Sequence, residues 1–285
     1  MIFIGSCVHI FGAPVAVYYK LCDTAAENTG EGPMTETILY SRIEHVGHLV
    51  LNNPQKHNAL GREQLEAIHA RLDQIAADPE VRVLIVTGTG EKTFCAGAAL
   101  QELSGGQIGD DAFQNMTSQL AELSIPTICA LNGDVFGGGA ELAVSCDFRI
   151  GIEGCRMRVP AAAIGLCYPL SGIARFVECL GMNVTRRILV ASEEFHSSTL
   201  LDIGFLDHLV PRQELHSFVQ DYAQHIASLA PLSVQSMKRI LRQTAAGSMD
   251  PELAQELTTL CQQSNDLQEG FSAKREKRKP RFEGR

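Results

Sequence analysis

The residues best placed to do chemistry lie in residues 130–147, which read Ala-Leu-Asn-Gly-Asp-Val-Phe-Gly-Gly-Gly-Ala-Glu-Leu-Ala-Val-Ser-Cys-Asp. This pattern predicts the end of a buried strand, a glycine turn and a short helix. The first N–H groups of a helix have no partner within it, and its dipole attracts negative charge there. Glu141 follows Gly138 by three residues, so both share one helix face. An anion-stabilising N–H and a potential general base would then open onto one pocket, as the formation of an enolate-like oxyanion requires.

The sequence excludes several other uses of this glycine run. The dinucleotide pattern G-x-G-x-x-G fails because Leu142 stands at its last position, and no Lys-Ser or Lys-Thr pair follows Gly138 to make a P-loop. Near Ser171 the pattern G-x-S-x-G is broken by Pro169. No H-E-x-x-H or C-x-x-C occurs, so we expect no metal. A loop or helix-packing point without chemistry remains the alternative to an oxyanion site.

The composition is that of an ordinary globular protein, with 285 residues, 45% hydrophobic and 20% charged. This length suits one large or two small domains. A net charge of -9 argues against a protein that coats nucleic acid. Several of the nine cysteines, among them Cys95, Cys129 and Cys146, lie in apolar or glycine-rich segments, as expected in a reducing compartment. We therefore predict a cytoplasmic protein without nucleic-acid partners.

The first residues are apolar but do not fit a standard targeting segment. No lysine or arginine precedes Lys20, and Gly5, Gly12 and Pro14 interrupt the stretch, which is too short to span a membrane comfortably. We predict that residues 1–33 are a disordered leader or a mis-assigned start, with the folded part beginning near Met34. An export signal is the alternative, and no membrane association is expected.

Hydrophobic periodicity predicts an α/β core followed by a helical region. Strands are predicted at residues 38–43 and 48–51 around Gly47, and at 81–87, 126–131, 147–152 and 157–159. Helices are predicted at residues 64–75 and 114–123, and beyond Gly172 the chain is predicted to be almost wholly helical, most clearly at 218–229, 233–242 and 253–260. We assign residues 34–225 to the core and 226–285 to the helical region.

Five blocks of sequence resemble the crotonase superfamily, the enoyl-CoA hydratases and isomerases. They are Leu-Asn-Asn-Pro-Gln-Lys-His-Asn-Ala-Leu at 51–60, Asp-Pro-Glu-Val-Arg-Val-Leu-Ile-Val-Thr-Gly at 78–88, Phe-Cys-Ala-Gly-Ala-Ala-Leu at 94–100, residues 132–147, and Glu-Gly-Phe at 269–271 with Glu-Lys-Arg at 276–278. Their order and spacing match over nearly all of the chain from Thr37 onwards.

The resemblance implies a fold and a set of site residues. The fold would be a spiral of ββα units with a C-terminal helical trimerisation region, assembled as a homotrimer or a dimer of trimers. The N–H groups of Ala98 and Gly138 would form the oxyanion hole, with Glu141 as the catalytic acid/base. Coenzyme A, bound as part of a thioester substrate rather than as a cofactor, would contact Lys56, Ala59, Ala96, Gly97, Ala98, Leu100 and Lys274.

One departure from the family pattern bears on the reaction. Hydratases of this family usually carry a second glutamate after a proline, and here Ala161 follows Pro160. The family also commonly has an aspartate at the position that Ala99 occupies here. Tyr168, Cys167 and His196 are candidate auxiliaries, although a packed or surface role is favoured for each.

The leading hypothesis is an enoyl-CoA hydratase-type lyase that uses a single glutamate. An enoyl-CoA isomerase or an acyl-CoA decarboxylase needs the same oxyanion hole and is the first alternative. A weakly catalytic acyl-CoA-binding protein is the second, because the glycine turn would also serve packing alone.

Overall fold

The computed structural model describes residues 36–106, 108 and 111–285, and Glu36–Arg285 form one compact unit. The leader predicted at residues 1–33 lies outside the described residues. The predicted boundary between residues 225 and 226 falls inside a helix, Leu215–Ala227.

A six-stranded sheet forms the centre of this unit. Its strands are β1 (Ile38–Ile43), β2 (Val46–Leu51), β3 (Val83–Gly88), β5 (Thr127–Leu131), β7 (Phe148–Ile152) and β10 (His208–Val210), in the order β1-β2-β3-β5-β7-β10. The β1–β2 pair is antiparallel and the other pairs are parallel. Every residue of strands β2, β3 and β5 is buried. Their runs of apolar and β-branched residues are typical of strands in a sheet that is covered on both faces.

A second, four-stranded sheet is built from short strands that follow the long ones. It contains β4 (Thr93–Cys95), β6 (Asp134–Phe136), β8 (Arg156–Arg158) and β9 (Phe195–His196), in that order. The chain passes from β3 to β4, from β5 to β6 and from β7 to β8, each time moving from the large sheet to the small one. Successive turns of this spiral therefore bring the residues after β4 and after β6 side by side.

Helices follow the strand pairs and then fill the C-terminal part. They are α1 (Arg62–Ala77), α2 (Leu100–Ser104), α3 (Ala112–Glu122), α4 (Gly138–Val144), α5 (Leu170–Thr185, interrupted at Gly181), α6 (Ser197–Asp202), α7 (Leu215–Ala227), α8 (Pro231–Ala245), α9 (Pro251–Gln263) and α10 (Asn265–Glu276). No helix in the described part of the chain is both long and apolar enough to cross a membrane.

One local prediction was wrong. The first hairpin turns at Glu44 and His45, with Glu44 at φ 52°, while Gly47 lies inside β2. The chain beyond Gly172 is mostly helical, as predicted, but β9 pairs with β8 and β10 joins the edge of the large sheet beside β7. Strands of two or three residues are too short to show a periodicity, and tertiary pairing alone defines them.

A buried ion pair fixes the C-terminal helices to the sheets. The Lys238 ammonium group on α8 donates to Asp147 Oδ2 at 2.6 Å and to the Ile125 carbonyl at 2.7 Å. The same Asp147 oxygen accepts from the Thr127 N–H and hydroxyl at the start of β5. Burial lowers the pKa of Lys238, and Asp147 opposes that effect. This pair anchors α8 to β5, the strand that precedes β6 and the glycine turn.

Candidate active site

Two glycine-containing loops meet at the candidate site, one after β4 and one after β6. Gly97 has φ 85° and Gly137 has φ 51°, both in the region that side chains disfavour. A Cβ atom on Gly97 would lie 2.5 Å from the Gly138 nitrogen. The two backbones therefore approach more closely at Gly97 than a side chain would allow, whereas the positive φ alone accounts for Gly137.

A third segment holds the first of these loops in place. The Leu60 N–H donates to the Gly97 carbonyl at 2.8 Å, and the Ala99 N–H donates to the Leu60 carbonyl at 2.9 Å. The buried side-chain amide of Asn58 donates hydrogen bonds to the carbonyls of Thr89, Thr93 and Phe94, and so ties the segment before Leu60 to the chain around β4. These bonds fix the backbone on either side of Ala98.

The N–H groups of Ala98 and Gly138 are the donors that this arrangement leaves for a ligand. Neither donates a hydrogen bond to any other described residue. Gly138 begins α4, so its N–H has no partner within the helix. Fixed donors of this kind stabilise a charge that develops on a nearby oxygen.

Glu141 lies on the first turn of α4 and is almost wholly buried, with a side chain 2% exposed. Its Oε1 atom accepts hydrogen bonds from Thr117 Oγ1 on α3 at 3.0 Å and from Arg175 Nη1 on α5 at 3.2 Å. Its Oε2 atom lies against Gly172, where a Cβ would be 3.0 Å away. One carboxylate oxygen is thus fixed by two donors, and the other faces a neighbour that has no side chain.

Opposing effects act on the protonation of this carboxyl group. Burial raises the pKa of Glu141, while the nearby hydroxyls of Tyr168 and Thr117 and the positive charge of Arg175 lower it. The balance is a pKa above the usual range. Burial likewise lowers the pKa of Arg175, and Glu141 opposes this. A carboxyl group that must take up a proton and return it benefits from such a raised pKa.

Tyr168 is the predicted auxiliary that the structure brings to Glu141. A Cβ on Gly172 would lie 2.6 Å from Tyr168 Cε1, so both side chains pack on the same backbone position. Cys167 is exposed in the preceding connection, and His196 is exposed on β9. Ala161 is buried and carries no group that exchanges a proton.

The predicted coenzyme A residues separate into two groups. A cleft of about 820 Å³ is lined by Lys56, Ala59, Ala96, Ala98 and Leu100, together with Asn53, Ala99 and residues 61–64, 101 and 102. Gly97 is buried beside it. Lys274 lies in the last turn of α10 and does not line this cleft.

The buried part of the site is closed over by an aromatic ring. A Cβ on Gly138 would meet Phe113 Cζ at 2.5 Å, so the Phe113 ring on α3 packs directly on this glycine. Gly138 and Glu141 therefore do not line the cleft, although Ala98 does. A ligand oxygen held by both N–H groups would have to lie against the Phe113 ring.

Sequence reasoning missed Arg175 and Thr117 as partners of Glu141. A signal for Arg175 existed, since it is the only charged residue in the apolar run from Leu170 to Val177. A lone charge in such a run indicates a buried ion pair. Thr117 gave no comparable signal, because a threonine on a helix is common.

Known proteins match this chain over most of its length. A family model described as enoyl-CoA hydratase/isomerase matches residues 42–285. A crotonyl-CoA hydratase of Syntrophomonas wolfei is 30% identical over 258 residues, covering 87% of this chain and 98% of the relative. The enoyl-CoA isomerase/hydratase fer4 of Mycosarcoma maydis is also 30% identical, covering 95% and 98%. The crystal structure of an enoyl-CoA hydratase from Bacillus anthracis superposes with a TM-score of 0.80 at 27% identity, covering 88% of this chain and 100% of that one.

Substitution of Gly97 by alanine tests the close approach of the two loops. We expect Gly97→Ala to lower the free energy of unfolding by about 3 kcal/mol, because backbone strain adds to a steric clash with Gly138. Gly154 is the matched control, since its φ of 82° is similar and nothing lies within 4 Å of a Cβ placed there. Gly154→Ala should cost only about 1 kcal/mol. Equal losses in urea unfolding would show that the two loops do not constrain each other.

Proposed function

The chain belongs to the enoyl-CoA hydratase/isomerase family, and we propose that it adds water to the double bond of a 2-enoyl-CoA thioester. The observation that carries this proposal is the buried carboxylate of Glu141, which lies on α4 about one turn after the Gly138 N–H. Its Oε1 atom is engaged by Thr117 and Arg175, so Oε2 is the oxygen that exchanges a proton.

The proposed reaction develops negative charge where the two N–H groups lie. The thioester oxygen accepts from Ala98 and Gly138 while water attacks C3 and the electrons of the double bond move towards that oxygen. Glu141 Oε2 takes the proton that the water loses. Collapse of the enolate then returns that proton to C2, so that one water molecule is added and Glu141 ends as a carboxylate. Losing one such N–H donor typically raises the barrier by about 3 kcal/mol.

Hydration in this scheme needs only one carboxyl group. The usual second acid is replaced by Ala161, and the one-carboxylate route requires that the same group both accept and donate the proton. The raised pKa of Glu141, caused first by its burial, supports that double role. Isomerisation and decarboxylation use the same oxyanion hole and are distinguished by their products.

We further propose that the cleft beside Ala98 binds coenzyme A. Lys56 is a cation on its wall and suits the negative phosphates, while the alanines offer little obstruction to a long flexible chain. Lys274, in the last turn of α10, remains a predicted contact of the coenzyme A phosphates.

We also propose that the protein is cytoplasmic and forms a trimer or a dimer of trimers. Exposed apolar side chains support self-association, since Leu170 is 82% exposed, Val190 75% and Leu241 69%. The free cysteines of the described residues, four of them buried, support a reducing compartment.

Glu141→Gln tests the proton transfer directly. We expect kcat for crotonyl-CoA hydration to fall by about 10²- to 10⁴-fold, because the amide cannot accept the proton of water. The measurement is steady-state kinetics with product analysis on crotonyl-CoA, a 3-enoyl-CoA and a malonyl-type thioester. Glu122→Gln, at the exposed end of α3, is the control. Unchanged hydration by Glu141→Gln, or turnover of either other substrate in place of crotonyl-CoA, would contradict the proposal.

Phe113→Leu tests where the acyl group lies. If the substrate rests on the ring that covers Gly138, a smaller side chain admits a bulkier acyl group. We expect the ratio of kcat/KM for a 3-branched enoyl-CoA to that for crotonyl-CoA to rise about tenfold. Phe218→Leu changes the same residue type on α7, where Phe218 packs on His208, and should leave the ratio unchanged. An unchanged ratio in Phe113→Leu would mean that the acyl group binds elsewhere.

A further inference from the structure

Tyr168 presents a buried hydroxyl group beside the catalytic carboxylate. The edge of its ring packs on Gly172, and the ring makes a T-shaped contact with Phe176, with ring centroids 6.0 Å apart. Phe176 is fully buried, so the ring has a fixed position. Pro169 follows and begins the approach to α5, which limits the backbone as well.

The hydroxyl group of Tyr168 forms no hydrogen bond with any described residue. It is buried, and among the described residues no group meets it at hydrogen-bond geometry, although it lies close enough to Glu141 for each group to shift the pKa of the other. A buried polar atom without a partner costs stability, and native proteins rarely keep one without a use. The atom is therefore available to a ligand that reaches Glu141.

The connection between β8 and α5 that contains Tyr168 also contains Ala161, which occupies the position of the family's second acid. Ala161 has only a methyl group, whereas Tyr168, seven residues later, has an exchangeable proton. Burial raises the pKa of Tyr168 well above its usual range, and the charge of Glu141 raises it further. The phenol therefore keeps its proton at neutral pH, and it can act as a hydrogen-bond donor.

We propose that the Tyr168 hydroxyl binds the oxygen atom at C3 of the acyl group, first as the attacking water and then as the product hydroxyl. This inference rests on the proposed function and assigns a ligand to the Tyr168 hydroxyl, the oxygen atom at C3. Tyr168 is then a catalytic residue, and the two groups that hold the water are a carboxylate and a phenol.

The proton balance of the step is unchanged by this role. The water donates one proton to Glu141 Oε2, attacks C3 with one lone pair and accepts the Tyr168 O–H with the other. The phenol keeps its proton throughout, and Glu141 delivers the transferred proton to C2. In the reverse direction the same hydrogen bond stabilises the hydroxide that leaves C3, so the donor acts on both directions of the reaction.

The experiment compares two ligands that differ only in the C3 oxygen. Calorimetry on the full chain measures the affinity of wild type and Tyr168→Phe for 3-hydroxybutanoyl-CoA, as each stereoisomer, and for butanoyl-CoA. We expect wild type to prefer one 3-hydroxy isomer, and Tyr168→Phe to reduce that preference about tenfold, as loss of one buried hydrogen bond implies. We also expect kcat for crotonyl-CoA to fall by at least the same factor.

Tyr40→Phe is the matched control, because Tyr40 also has a buried hydroxyl without a partner among the described residues but lies on β1. It should retain both the preference and kcat. If wild type shows no preference, or if Tyr168→Phe keeps it, the assignment of Tyr168 is overturned.

The outcomes separate this inference from the proposed function. In one outcome, Tyr168→Phe loses the preference for 3-hydroxybutanoyl-CoA although the wild-type protein hydrates no enoyl-CoA. That result would support Tyr168 as the ligand of the C3 oxygen and would reject hydration. Hydration that depends on Glu141, with a preference intact in Tyr168→Phe, would reject Tyr168 alone.

Discussion

A buried carboxylate persists in a protein only if its charge is balanced, and in this fold Arg175 balances Glu141. Both side chains are nearly inaccessible, at 11% and 2% exposure. Removing either partner would leave an uncompensated charge in the interior, which is far more costly than removing both. Thr117 on α3, Glu141 on α4 and Arg175 on α5 meet at this point, so the ion pair also sets the relative positions of three helices.

The charge balance of this pair complements the backbone donors. In the proposed hydration Glu141 loses its negative charge when it accepts a proton, and the thioester oxygen gains one at the same moment. The net charge of the site would then stay constant, and the fixed N–H groups of Ala98 and Gly138 would stabilise the new charge without repulsion from the carboxyl group. Gly97 makes this geometry available because two successive turns of the spiral come into backbone contact there, and Gly137 does so through its positive φ.

The sequence was most informative where the backbone itself is constrained. The glycine turn, the strand before it and the cleft residues from Lys56 to Leu100 are local motifs, and the resemblance to known enzymes placed them in one family. The partnership of Glu141 with Arg175 could not be predicted in this way, because 34 residues separate them and only the packing of α4 on α5 joins them. The Phe113 ring over Gly138 and the short strands β9 and β10 depend on tertiary contacts in the same way.

The pH dependence of kcat/KM for crotonyl-CoA in Arg175→Met tests the central claim, that Arg175 keeps Glu141 ionised as the base. The positive charge of Arg175 lowers the pKa of Glu141, so its removal must raise that pKa. The account predicts that the acidic limb of the profile moves to higher pH, with Arg175→Lys close to wild type. An acidic limb that stays at the wild-type pH in a folded Arg175→Met protein would contradict it.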